Sequence, residues 1–120
     1  MKILLASTLL LLAPVAARAA CSASDFAIQD FKMSTSGSGT GLHLSLKGKI
    51  VNHCATAAAG QVKIEAKDAS GNVLVTKQGW PAGTSNIAPG DGVDFDLGRL
   101  FRYQPEMQSY TVGIAEVRTW

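Results

Sequence analysis

Leu42-His43-Leu44-Ser45-Leu46-Lys47 alternates apolar and polar residues without a break, and the pattern runs on through Gly48 to Ile50. Leu42, Leu44, Leu46 and Ile50 fall on one side; His43, Ser45, Lys47 and Lys49 fall on the other. Successive side chains of a pleated strand point to opposite faces. A period of two therefore predicts a β-strand buried on one face and solvated on the other. The same grammar recurs in both directions. In Gln61 to Lys67, Val62, Ile64 and Ala66 alternate with Lys63, Glu65 and Lys67. Asp68-Ala69-Ser70-Gly71-Asn72 follows, a turn sequence with a glycine able to take positive φ, and Val73 to Gln78 reads as the returning strand. Val93, Phe95 and Leu97 alternate with Asp94 and Asp96. Tyr110, Val112 and Ile114 open a last strand whose alternation falters at Ala115 to Val117, which a bulge or an edge position accounts for. An early strand covers residues 26–33, with a Gly/Ser-rich loop over 34–41.

Gly79 to Asp91 holds three glycines and two prolines and reads as a loop; Gly98 to Ser109 is irregular, with room for a short helical turn. No stretch sustains a helical period of 3.6. Six or seven short strands with glycine turns predict an all-β chain folded as an antiparallel β-sandwich, with a small barrel as the alternative. The core candidates are Leu42, Leu44, Leu46, Ile50, Val62, Ile64, Val93, Phe95, Val112 and Ile114.

The 120 residues allow one domain. Lys2 precedes an apolar run from Ile3 to Leu12, interrupted by Ser7 and Thr8; Pro14 and small residues follow. That order predicts a secretory signal peptide, and the run is short of the roughly 20 residues that span a bilayer. Ala17-Arg18-Ala19 places the cut before Ala20, giving a leader over 1–19 and a domain over 20–120. A cut before Cys21 is the alternative and would attach lipid to that cysteine. Against it, Arg18 stands where lipid-attachment sequences carry an apolar residue. Cys21 and Cys54 form an even pair in an oxidising compartment, so a disulfide between them is expected; lipidation would leave Cys54 an odd thiol. Without Lys2 and Arg18, eleven basic residues against nine acidic become nine against nine. The basic balance belongs to the leader, and recognition falls to local patches of the surface.

Gly48-Lys49-Ile50-Val51-Asn52, then Val62 to Asp68, then Gly71-Asn72-Val73-Leu74, and finally Ala88-Pro89-Gly90 before Phe95, resemble the FxLYD family over Gly41 to Val117. Ile64, Ala66 and Lys67 stand where the naming motif has Phe, Leu and Tyr; Asp68 is kept. The resemblance implies a small immunoglobulin-like sandwich outside the bacterial cytoplasm, with binding or structural roles and no catalytic residues.

Catalysis by a nucleophile needs a base within reach. The histidines are His43 and His53; His53 adjoins Cys54, but neighbours on a strand point apart, so no enzyme is expected. His43, His53, Met33 and Met107 are copper-type ligands without a compact motif. Asp91, Asp94 and Asp96 lack the layout of a helix-flanked calcium loop. No metal or cofactor is expected, and no basic run invites nucleic acid. Arg99-Leu100-Phe101-Arg102-Tyr103-Gln104-Pro105 combines aromatics and arginine in a predicted loop, the composition of protein-binding hot spots, and Trp80 with Trp120 adds to it. The alternative places Phe101, Tyr103 and Trp80 as caps on the core. The sequence thus points to a periplasmic, non-catalytic domain that binds another envelope or secreted protein, for instance as an inhibitor or immunity protein. A structural subunit of an envelope assembly and a copper carrier are the competing readings.

Overall fold

The structure, a computed structural model, describes residues 20–120; the predicted leader lies outside the described residues. Six strands form: β1 (Phe26–Ser36), β2 (His43–Asn52), β3 (Ala59–Lys67), β4 (Val73–Gly79), β5 (Gly92–Asp96) and β6 (Ser109–Arg118). They make two antiparallel three-stranded sheets, ordered β1-β2-β5 and β4-β3-β6. The first, second and fifth strands share one sheet, while the third and sixth share the other, the immunoglobulin-like arrangement of a sandwich.

The central strands carry the core, as their period of two requires. Leu44, Leu46 and Ile50 of β2 and Val62, Ile64 and Ala66 of β3 are buried, joined by Phe95 of β5. Each such large side chain contributes roughly 1.5–3 kcal/mol on leaving water. Val93, Val112 and Ile114 are half-buried against this core. Leu42 is a correction: it follows a single 3₁₀ turn, Gly39–Gly41, and is half-buried outside β2. Phe26, Ala58, Ile87 and Met107 complete the core from strand ends and loops, where no periodicity marks them.

Two local outcomes have plain causes. β1 extends to Ser36, with Ser34, Thr35 and Ser36 paired to Ser45, Leu44 and His43, although these residues read as a loop. A ladder pairs backbone groups, so a polar run at a sheet edge serves as well as an apolar one. In β6 the register shifts where Gln61 faces Glu116 and Val62 faces Ile114, leaving Ala115 extra. The strand therefore carries a bulge and also lies at an edge. The β3–β4 turn is built on Asp68, whose Oδ1 accepts the backbone N–H groups of Ser70 and Asn72, each at 2.9 Å. Gly71 supplies the left-handed residue at φ 87°.

The far end of the sandwich is closed by a disulfide and a buried amide. Cys21 and Cys54 are bonded, closing a loop across 33 positions of sequence. With its sulfur in that bond, Cys21 has no thiol for a lipid. Asn52, the last residue of β2, is fully buried. Its Nδ2 donates to the carbonyls of Ile87 (2.7 Å) and Thr56 (3.0 Å), and its Oδ1 accepts the Cys54 N–H (2.7 Å).

Candidate protein-binding site

The segment after β5 is shaped by Asp96. The N–H groups of Leu46 and Gly98 both donate to its Oδ1 at 3.0 Å, while Leu97 N–H continues the ladder to Leu46 O at 3.0 Å. The chain then makes a 3₁₀ turn, Gly98–Leu100, pressed against β2. Gly98 is obligatory at this approach, because a Cβ there would collide with the carbonyl of Leu44. Gly98→Ala should therefore cost about 1–3 kcal/mol or more, read as a lower urea midpoint, because overpacking against backbone has no rotamer escape.

Beyond this turn the sequence-predicted residues part company. Phe101 turns inward, with 7% of its surface exposed, and meets Tyr110 edge-to-face at 6.3 Å. Tyr103 is half-buried against the core, whereas Arg99 and Arg102 are exposed. Arg99 Nη1 donates to the Asp96 carbonyl at 3.1 Å. Together with Leu42, His43 and Ser45, the two arginines and Tyr103 line a groove of about 940 Å³. Its partner strand residues, His43 and Ser45, lie on the solvated face of β2, the half of the alternation that the core did not use.

The groove's electrostatics are lopsided. Among the described residues the ion pairs are Lys63–Glu65 (4.0 Å) and Arg118–Glu116 (2.9 Å), both on the second sheet. Arg99 and Arg102 take part in neither. The acid that lines the groove, Asp96, is committed to backbone. Partial burial pushes its pKa up, but hydrogen bonds from Gly98 and Leu46 N–H and the Ser45 hydroxyl, with the Lys47 charge, outweigh this and hold it below the ordinary value. A carboxyl depressed on folding contributes stability that is present above its unfolded pKa near ~3.9 and lost as pH falls through the folded value. Urea denaturation from neutral pH to below pH 3 should show a shallower acid loss for Asp96→Asn, which keeps the acceptor oxygen and removes the charge. A slope equal to wild type would show that Asp96 does not titrate with folding.

Trp80 does not join the Arg99–Tyr103 segment. It follows β4 of the second sheet and meets Trp120 edge-to-face at 5.5 Å; the Arg118 guanidinium lies 5.3 Å and 4.8 Å from the two ring centres. Asn86 fixes Trp120 by accepting its N–H at 2.9 Å. Arg118 and Asn86 escaped the sequence reading because a cation–π stack across a strand end and a loop leaves no local pattern.

The other candidates are dispersed. His43 and His53 lie at opposite ends of β2, Met107 is buried, and Met33 is exposed on β1. Asp91 lies in the loop before β5, Asp94 faces Lys49 in register, and Asp96 is engaged as above. Among the described residues Cys21, Asp25 and Cys54 gather closely enough for a metal, but the disulfide occupies both sulfurs. No helix among the described residues is long and apolar enough to cross a membrane. Comparison with known protein families, with curated proteins and with solved structures finds no match for this chain.

Proposed function

We propose that this is an exported, non-catalytic binding protein of the bacterial envelope that recognises another protein through the Arg99–Tyr103 groove, in its most concrete form as an inhibitor or immunity protein against a toxic enzyme. The observation that carries this reading is a groove in which two exposed arginines without a carboxylate partner stand beside the apolar surface of Leu42 and Tyr103. Arginine and tyrosine at a concave patch are the residues that dominate binding energy when truncated. The disulfide and the predicted leader support export, and the FxLYD resemblance supports a binding role. Affinity capture from periplasmic extract should recover a partner with wild type and lose it, about tenfold or more, with Arg102→Ala/Tyr103→Ala. Equal recovery with both proteins would show that the groove is not the binding site.

A second reading, a subunit of an envelope assembly, is favoured by β6. Its ten residues form an outer edge with no partner strand among the described residues. The apolar side chains Val112, Ile114 and Val117 along it are only half-buried. Such an edge is a template for strand addition.

A further inference from the structure

We infer that the partner segment seated in the groove is acidic, an extended stretch whose carboxylates meet Arg99 and Arg102 while one apolar side chain rests on Leu42 and Tyr103; this rests on the protein-binding reading above. Charge complementarity carries it. The groove presents two guanidinium groups, each with five N–H donors in a fixed plane that matches a carboxylate. Arg99 is already held by one bond to the Asp96 carbonyl, so part of its ordering cost is met before a ligand arrives. Asp96, the one acid lining the groove, forms no ion pair with either arginine, and its single charge offsets only one of the two.

The adjoining surface is balanced, with Lys32, Lys47 and Lys49 sharing it with Asp30, Asp94 and Asp96. The outer face of β2 carries Lys47 and Lys49 beyond the groove, and Lys32 of β1 stands opposite Lys47 in register. Asp94 and Asp96 are the register partners of Lys49 and Lys47, yet neither pair closes to an ion pair. The positive excess at the groove therefore rests on Arg99 and Arg102 themselves, which join no ion pair among the described residues. The apolar wall selects the kind of anion. Leu42, Tyr103 and Pro105 border the charges and match a side chain of a polypeptide better than a hydrated sugar acid.

The test is a nuclear magnetic resonance titration of the purified protein with short Gly/Ser peptides. One carries two glutamates flanking a leucine, the second has glutamine at both positions, and polygalacturonate serves as the polysaccharide. The glutamate peptide should shift the amide signals of His43, Ser45 and residues 99–103. Its affinity should fall about tenfold with the glutamine peptide, with Arg99→Ala/Arg102→Ala, and on passing from low to high salt, since exposed charges are screened. Equal shifts from both peptides at the groove would overturn the acidic partner and leave the protein-binding reading standing. Tighter seating of polygalacturonate at the same amides, or no peptide shift there at all, would overturn both.

Discussion

Asn52→Asp should lower the stability of the domain by about 3–5 kcal/mol, the cost of a buried charge whose surroundings cannot answer it. The Asn52 Nδ2 donates to the carbonyl oxygens of Ile87 and Thr56, so an aspartate would aim an oxygen at two oxygens. Only the bond from Cys54 N–H to Oδ1 would survive. The backbone of Asn52 is engaged as well, accepting from Gly90 N–H at 2.7 Å and donating to Asp91 O at 3.0 Å, so the residue joins the β2–β3 connection to the loop before β5. For a domain of this size the loss corresponds to a melting temperature lower by on the order of 20 °C. Asn52→Ala should lose less, because it strands polar groups without adding a charge. The sign with pH separates the two. Burial raises the pKa of the introduced carboxyl, so its deficit relative to Asn52→Ala should shrink as pH falls and be smallest below about pH 4, where the unfolded chain is protonated too. A deficit independent of pH would mean that the introduced carboxyl is not buried in its charged form.

Removal of the disulfide is the second large effect. A loop of 33 positions, once opened, restores chain entropy to the unfolded state worth about 3–4 kcal/mol. Cys21→Ala/Cys54→Ala should show that loss in urea denaturation, and reduction of wild type should match it. The effect should not add to that of Asn52, because Cys54 N–H is one of the groups Asn52 holds. A coupling of about 0.5–3 kcal/mol in the triple-variant cycle is expected. Two free thiols in the purified protein, by mass, would overturn the bond itself.

The sandwich was readable because its two central strands are buried on one face only. Leu44 to Ile50 and Val62 to Ala66 must alternate for that burial to work, and Asp68 with Gly71 must turn the chain between β3 and β4. The pairing of Cys21 with Cys54 followed from parity. The meeting of Asn52 with Gly90 was not readable, since each marks only a local strand end until the sandwich folds and brings them together.

The groove was half legible. Arg99, Arg102 and Tyr103 stood out by composition, but the direction of Phe101 is set by Gly98 pressing the turn on β2, a contact with a distant strand. The wall supplied by His43 and Ser45 was visible only as the polar half of a strand. Trp80 and Trp120 were grouped with the arginines by residue type. They pack instead with Arg118 on the second sheet, because sandwich topology sends β4 and β6 there and β5 to the first.

Recognition of an envelope or secreted protein through this groove can be read by photo-crosslinking in the producing cell. A benzophenone side chain at exposed Gln104 leaves Arg99, Arg102 and Tyr103 intact, and one at exposed Thr111 samples the second sheet. A discrete adduct with one envelope or secreted protein is expected from position 104, absent from position 111 and lost when Arg102→Ala is added. The same adducts from both positions, or none from 104, would rule out recognition through the groove.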